Sequence, residues 1–461
     1  MIAVFGRRER RVRSTRINNG ATEQRRTHGG CHAEARATAA GAAGRWLTTK
    51  ELEKRQAVPS DGLPFLELSR RQRPASRGGR ALGLLRLISV TPLLRCLTVL
   101  SAFSALSAVA VLSAQAPRPS GGDGVLYIGG YPNLVWIIDE ATEKIAGTIA
   151  MKSGIPRRLG LSRDMKRFYV IDATGEAVEI VDIGTRSTID TFRLSEGDKR
   201  VRIASLEPDP THSYAVLVTR TATKAADRVE VGPSTLLHYD LKAGKVIRTI
   251  PWPDKQEQEN ANLVFSPDGK LLYMLGNEIR ILETANFTQV DRWDLSTVEE
   301  GLGQVSMSFG GFGGLDTVND EPGFLTTTMT VEDPVLHRRM MGVARIDLAR
   351  KDLEFYTLGP AGGVSFALAP DRTRAYGLES SVGRYQFWTF DLERRRVVSR
   401  AEFEGRPRMS LKTSSNGRLL YIYNAGDTID IYDGTSYKYL RTITLPGDVT
   451  TQFYVVPKAR R

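Results

Sequence analysis

Short apolar runs recur along residues 125–457, and polar turns separate each run from the next. One unit consists of a hydrophobic run, a turn, a tyrosine-led apolar run, an apolar step that ends in an acidic residue, and a second turn. The runs are rich in Val, Ile, Thr and Tyr and the turns in Gly, Asp and Pro, which is typical of short β-strands. No segment carries a sustained helical period. The pattern therefore predicts an all-β protein.

The unit occurs seven times. Its first turn is visible in five copies, at Ser162-Arg163-Asp164, Glu207-Pro208-Asp209, Ser266-Pro267-Asp268-Gly269, Ala369-Pro370-Asp371 and Ser414-Ser415-Asn416-Gly417. The aromatic residues that lead the next run are Tyr127, Tyr169, Tyr214, Tyr273, Phe324, Tyr376 and Tyr421, and the acidic residues are Asp139, Asp182, Asp240, Glu283, Asp347, Asp391 and Asp433. The acids mostly lie 42–44 residues apart, which matches a four-stranded propeller blade. We predict a seven-bladed β-propeller; a pair of β-sandwiches does not explain the repeat.

The two ends of the repeat are complementary. The first unit has no innermost strand and starts directly at Val125–Gly130, whereas an extra apolar segment, Thr450–Pro457, follows the last unit. We expect the C-terminal strand to complete the first blade, because this closure leaves no open sheet edge in the ring.

Two units are longer than the others. The extra residues are Thr219–Pro233 in the third unit and Thr326–Met341 in the fifth, and both lie between the second and third strands. By strand order, these predicted loops share one face of the disc, the insertion face, with the segments that lead into the innermost strands. They are either surface loops without a role or part of a partner-binding face, where repeat proteins concentrate insertions.

The net charge of +12 belongs to the N-terminal part of the chain. Residues 1–116 hold 18 Arg and 2 Lys against 7 acids, which leaves 44 basic and 45 acidic residues for 117–461. A nucleic-acid-binding body is therefore not expected. Both cysteines, Cys31 and Cys96, also precede residue 117, so disulfides, Cys-ligated metals and thiol catalysis are excluded from residues 117–461.

The distribution of charged and apolar residues divides the chain into three segments. Residues 1–89 are Arg-, Gly- and Ala-rich and are expected to be disordered, or to lie upstream of a true start near Val90. Residues 90–116 have a basic flank, an apolar core and the exit Ala114-Gln115-Ala116, which together predict a secretory signal peptide. An uncleaved anchor over 97–114 is the alternative, since 18 apolar residues nearly span a bilayer. Residues 117–461 form the propeller, which we expect in the periplasm or outside the cell.

No catalytic or metal-binding motif is evident in the propeller. The glycine-rich segments 301–303 and 309–314 precede no helix, and His212, His238 and His337 share no ligand spacing. The acids at the ends of the third strands are expected to cap turns. Arginine, however, leads into three innermost strands, and we predict an anion- or partner-binding channel mouth from Arg157, Arg158, Arg200, Arg202, Arg406 and Arg408. Pairing of each arginine with an acid of an adjacent blade is the alternative.

The repeat resembles the YVTN-repeat propellers, most clearly at Tyr169-Val170-Ile171-Asp172 and Tyr421-Ile422-Tyr423-Asn424. A narrower resemblance is to the propeller (β) subunit of quinohemoprotein amine dehydrogenases, in the enlarged third and fifth blades, in Leu445-Pro446-Gly447 before the closing strand, and in the predicted export. That resemblance implies a scaffold with no cofactor of its own, whose partner subunits carry a quinone and haems. The segment 1–89 departs from the family.

Three classes of function remain open at this point. The chain is a non-catalytic scaffold of an amine dehydrogenase-like complex, a stand-alone envelope propeller that binds a ligand or protein, or a hydrolase or lyase of the lactonase kind. A channel lined by acidic, Asn or His metal ligands would favour the third class, whereas the residues leading into the innermost strands are Arg, Asn and Gln.

Overall fold

The structure is a computed structural model. It describes residues 118–259, 261–276, 278–294, 305–307, 317–333, 338–360, 362–405, 409–423 and 426–458. The predicted leader and signal peptide lie outside these residues, as do Gly301–Gly303, the glycine run 309–314, and His337. No helix within the described ranges has the length and apolar character needed to cross a membrane.

The described chain forms seven four-stranded antiparallel sheets, as the repeat predicts. The strands are β1 Val125–Gly130, β2 Leu134–Asp139, β3 Lys144–Ala150, β4 Pro156–Leu161, β5 Arg167–Asp172, β6 Ala177–Asp182, β7 Ser187–Arg193, β8 Lys199–Pro208, β9 Tyr214–Lys224, β10 Val229–Asp240, β11 Lys245–Ile250, β12 Asn262–Phe265, β13 Leu271–Leu275, β14 Ile279–Glu283, β15 Thr288–Trp293, β16 Val305–Met307, β17 Phe324–Asp333, β18 Arg338–Asp347, β19 Asp352–Pro360, β20 Val364–Leu368, β21 Arg374–Ser381, β22 Arg384–Asp391, β23 Arg396–Glu402, β24 Ser410–Thr413, β25 Leu419–Tyr423, β26 Thr428–Asp433, β27 Tyr439–Thr444 and β28 Val449–Val456. A single-turn 3₁₀ helix spans Pro253–Lys255.

Blade 1 has the order β28-β1-β2-β3, whereas blades 2 to 7 each take four consecutive strands from β4 to β27. The closing strand β28 pairs antiparallel with β1, in a register that joins Val125 to Val456 and Tyr127 to Tyr454. The C-terminal strand therefore supplies the innermost strand of the first blade, and the predicted closure is confirmed.

The hydrophobic core lies between the blades and has no single centre. Seven clusters of buried side chains each join two adjacent blades, so that every junction of the ring has one. The closing strand contributes to two of them: Phe453 and Val455 pack toward blade 7, and Tyr454 and Val456 toward blade 2. Alternating side chains of one strand thus hold both neighbours of blade 1.

The seven acidic residues end the third strand of each blade, where turn-capping was predicted. The Asp433 carboxylate accepts hydrogen bonds from the backbone N–H groups of Thr435 and Ser436, at 3.1 and 2.7 Å. Equivalent caps occur at the other five aspartates. Blade 4 differs, because there Asn286 Oδ1 accepts the Thr288 N–H at 2.9 Å and Glu283 makes no such bond with the described residues.

The residue four positions after each acid has a positive φ in all seven blades, although only one of these residues, Gly244, is a glycine. In six blades, the pairing of the third and fourth strands has a β-bulge between the two residues that precede the acid. A residue in the left-handed region followed by a bulge is one of the standard hairpin connections, and the aspartate side chain stabilises it. The acid therefore stabilises the turn after the third strand, as predicted.

Tyrosines of the second strands reach the next blade. The Tyr169 hydroxyl lies 2.8 Å from Nδ1 of His212 in blade 3, and His212 Nε2 returns to Asp164 of blade 2 at 3.2 Å. The Tyr273 hydroxyl donates to the Leu348 carbonyl of blade 5 at 2.8 Å. The repeated tyrosine therefore fastens each of these blades to its neighbour, and His212 takes part in the contact between blades 2 and 3.

The junction that closes the ring contains a buried carboxylate. Glu140 of blade 1 is fully buried and accepts hydrogen bonds from Gly124 N–H at 2.8 Å, from Ser415 N–H at 2.9 Å, from the Ser415 hydroxyl, and from the Tyr421 hydroxyl at 2.9 Å. Burial raises the pKa of Glu140 although these donors favour the ionised form. Blades 7 and 1 are thereby joined by polar contacts as well as by their apolar cluster.

Two local predictions are wrong: the position of one turn in the third blade, and the loop structure of the two insertions. The first turn of the third blade is Asp209–His212, with His212 N–H bonded to the Asp209 carbonyl at 2.9 Å. Glu207 and Pro208 instead end the strand β8. The sequence Glu207-Pro208-Asp209-Pro210 offers two Pro-containing turns, and the strand continues to the later one.

The two insertions were predicted as loops, but they are mainly strands. In blade 3 the insertion lengthens β9 and β10 into a ribbon with its turn at Ala225–Arg228, and β8 pairs along it as far as Thr223. In blade 5 the strands β17 and β18 pair from Phe324 to Asp333. Their alternating Thr and Val residues suit a pleated strand, and pairing satisfies backbone groups that a loop would leave to water.

Candidate functional site at the insertion face

The predicted arginines lie at the starts of innermost strands. Arg157 and Arg158 follow the first residue of β4, and Arg200 and Arg202 lie within the first four residues of β8. All four are exposed. The Lys224 N–H at the end of the ribbon strand β9 bonds to the Asp198 carbonyl at 3.1 Å, so the blade 3 insertion and the start of β8 share one face. Arg406 and Arg408 lie outside the described residues.

Two of the four arginines contact a neighbouring blade, but only Arg200 contacts an acid there, which is the pairing that the alternative predicts for each arginine. Arg200 Nη1 lies 3.7 Å from Glu176 Oε2 of blade 2, with 64% of the arginine side chain exposed. Such an exposed pair contributes at most about 1 kcal/mol. Arg158 Nη1 donates to the Ala204 carbonyl of blade 3 at 2.6 Å. Desolvation and the charge of Arg157 lower the pKa of Arg158, but an arginine remains protonated at neutral pH.

The other two arginines are open to a ligand or partner. Within the described ranges, the side chains of Arg157 and Arg202 make no hydrogen bond or ion pair. The stem of Arg202 lies against Gly175, where an added Cβ would approach Arg202 Cγ to 3.0 Å and where φ is +76°. A glycine in this turn therefore leaves room for Arg202 beside the channel mouth.

The ribbon of blade 3 carries a second feature of this face. Val229 and Val231 are 62% and 61% exposed and point to the same side of β10, because side chains alternate along a strand. The outer strand β11 pairs only with Leu236–Asp240, so within the described chain no strand covers the outer edge of residues 229–231. The sequence pattern predicts a loop at these residues, whereas the structure has an open, partly apolar sheet edge there.

A different arrangement closes the opposite end of the channel. The segment Thr317–Asp320, which lies between β16 and β17 of blade 5, reaches across to other blades: Asn319 Nδ2 donates to the Leu368 carbonyl of blade 6 at 2.8 Å and lies 3.2 Å from Thr413 Oγ1 of blade 7. Val318 packs against the cluster between blades 1 and 2. Nothing in the repeat pattern indicated this segment.

The remaining candidate residues have structural environments. His238 packs against Tyr214 and Phe287 at ring-centroid distances of 4.6 and 5.3 Å, and burial lowers its pKa. Across the described ranges, no group of three or more His, Cys, Asp or Glu side chains is arranged to hold a metal ion.

The sequence matches no protein-family model and no curated protein. Among solved structures, the chain is similar to Kuenenia stuttgartiensis hydrazine synthase, with 15% identity and a TM-score of 0.41 over 68% of this chain and 90% of that chain. It is also similar to apo AztD from Citrobacter koseri, with 12% identity and a TM-score of 0.42 over 72% of this chain and 98% of that chain. The β-propeller domain of Cps50 (Swd1) from Myceliophteria thermophila gives 13% identity and a TM-score of 0.44 over 67% and 91%. Similarities at this level carry no argument about activity or partners.

Proposed function

We propose that the protein is a secreted, non-catalytic propeller scaffold that docks a protein partner on its insertion face, in the manner of the β subunit of a quinohemoprotein amine dehydrogenase-like complex. The observation that carries this proposal is the edge at residues 229–231, which no described strand covers, on the same face as Arg157 and Arg202, whose side chains have no partner among the described residues. In such a complex, the quinone and the haems belong to the partner subunits.

An open β-edge and free guanidinium groups complement each other in recognition. The exposed backbone of the edge accepts a further strand, and the two valines provide apolar contact area beside it. Arginine is enriched in interfaces because its forked donors pair with carboxylates. A partner with an extended segment and acidic residues fits both features.

Purification of the native protein from the cell envelope tests the proposal. We expect the protein to bring down subunits with the absorption spectra of haem and of a protein-bound quinone. The Arg157→Ala/Arg202→Ala double variant is expected to lose them with little change in melting temperature. Arg350→Ala/Arg394→Ala is the matched control, since these exposed arginines follow third-strand acids and lie on the opposite face.

Three results would count against the complex. If the protein purifies alone, or with a partner that lacks haem and quinone, the stand-alone binding propeller replaces the scaffold. If the double variant melts well below the wild type, Arg157 and Arg202 are structural. The export part of the proposal is checked by N-terminal sequencing, which should find a mature start near Ala116 or Pro117.

A further inference from the structure

A cavity of about 290 Å³ lies at the end of the channel opposite the insertion face. Its walls come from the ends of the innermost strands of blades 2, 3 and 4 and from residues 317–324, which connect β16 to β17 in blade 5. Leu161, Phe265 and Val318 line it with apolar surface, and Arg163 and Glu207 bring opposite charges to it. The volume is at the small end of ligand-binding pockets.

Arg163 is incompletely paired in this cavity. Its Nη2 atom is buried and has no hydrogen-bond partner, and no ion pair involves Arg163 in the described part of the chain. Burial lowers the pKa of the guanidinium, whereas the fields of Glu207 and Asp320 raise it. Both carboxyl groups thus lie near Arg163 without contacting it. An unpaired buried donor of a charged group costs more than about 1–3 kcal/mol.

The acidic side of the cavity is held by backbone groups. Asp320 is 8% exposed, and both its carboxylate oxygens accept the Thr326 N–H, at 3.1 and 3.2 Å. For Glu207, the neighbouring Phe265 N–H favours the ionised carboxylate, but burial has the larger effect and raises the pKa to about 7. Both carboxyl groups therefore belong to residues that line the same cavity as Arg163.

We propose that this cavity binds a small zwitterion of the α-amino acid class, with its carboxylate on Arg163, its ammonium group on the Glu207 and Asp320 side, and its side chain against Leu161, Phe265 and Val318. A simple anion would face two carboxyl groups, and a simple cation would face the guanidinium. A zwitterion satisfies both sides and supplies the acceptor that Arg163 Nη2 lacks. The proposal does not depend on the docking of a partner at the insertion face.

Titration calorimetry on the intact wild-type protein tests this without any substitution. The probes are L-leucine, N-acetyl-L-leucine and L-leucine methyl ester, which keep the same side chain while the last two each lack one charge. Glycine, L-phenylalanine, L-glutamate and L-lysine extend the series to other side chains. We expect at least one zwitterion to bind, and each blocked analogue of leucine to bind about 10- to 100-fold more weakly than leucine, since a hydrogen bond to a charged group is lost.

Variants then locate the site. Arg163→Met and Glu207→Gln should each abolish the leucine signal, whereas Arg394→Gln, on the surface, should leave it unchanged. The proposal is overturned if no amino acid in the series binds at 10 mM, which would mean that water alone bridges Arg163 to the carboxyl groups. It is equally overturned if the blocked analogues bind as well as leucine, or if folded Arg163→Met or Glu207→Gln protein still binds leucine normally.

Discussion

Removal of the closing strand should abolish cooperative folding. Truncation after Gly447 deletes β28, whose buried side chains Val449, Phe453, Tyr454, Val455 and Val456 belong to the clusters on both sides of blade 1. Burying one such side chain contributes about 1.5–3 kcal/mol, so five contribute about 8–15 kcal/mol. The whole stability of a typical domain is only about 5–15 kcal/mol. We therefore expect the truncated chain to remain without fixed tertiary structure.

Near-ultraviolet circular dichroism and the fluorescence of buried Trp136, which packs in the cluster between blades 7 and 1, report the outcome. Truncation after Pro457 is the control, because it leaves the strand intact. A smaller perturbation gives the magnitude: Phe453→Ala should cost about 3–5 kcal/mol, whereas Val382→Ala, at a residue 87% exposed, should cost almost nothing. If the chain truncated after Gly447 melts within about 3 °C of the control, the closing strand does not hold the ring and the reasoning is refuted.

Three further predictions concern single carboxyl groups. Glu140→Gln should lower the free energy of unfolding in urea by about 1–3 kcal/mol, because an amide cannot accept hydrogen bonds from all the donors around it. An unchanged midpoint of urea unfolding would show that Glu140 does not help to close the ring. Asp433→Ala should cost about 0.5–1.5 kcal/mol through the lost turn cap, whereas Glu283→Ala should cost little in the same assay, and equal effects would contradict the capping argument. Burial raises the pKa of Glu207 from 4.5 to about 7, so its contribution to stability is greatest below pH 4.5 and is lost as the pH rises to about 7. At about 1.4 kcal/mol per pKa unit, wild type should lose roughly 3 kcal/mol relative to Glu207→Gln over this range in denaturant titrations at each pH, and a constant difference would show that Glu207 does not titrate there.

The blades could be predicted because their signals are local. An aspartate such as Asp433 caps a turn within three residues of itself, and a tyrosine such as Tyr169 fastens one blade to the next, so each unit repeats the same physical requirement. The closure could be predicted because the first unit lacks an innermost strand and an extra strand follows the last unit. The first turn of the third blade was placed wrongly for a local reason as well, since Pro208 and Pro210, with Asp209 between them, allow two turns.

The candidate sites could not be predicted in full, because their residues make contacts between blades that no local sequence pattern shows. Arg158 and Arg202 look alike in sequence, yet Arg158 bonds to a backbone carbonyl of the next blade and Arg202 does not. The cavity at the opposite end combines Arg163, Glu207 and Asp320, which come from three blades and are far apart in the chain. Their proximity is a product of the ring, so only the folded arrangement brings these charges together.

The position of the first strand has a consequence for how the protein is presented in the cell. β1 starts opposite Asp139, the acid that ends the third strand of blade 1, and Lys458 near the C-terminus contacts the same Asp139 at 3.3 Å. Both ends of the described chain therefore leave the disc on the face opposite the insertion face. A tether attached to either end, whether a lipid-embedded segment or an engineered tag on a solid support, would leave the ribbon and the unpartnered arginines facing outward. Immobilisation through either terminus is therefore the arrangement in which binding to the insertion face can be measured without obstruction.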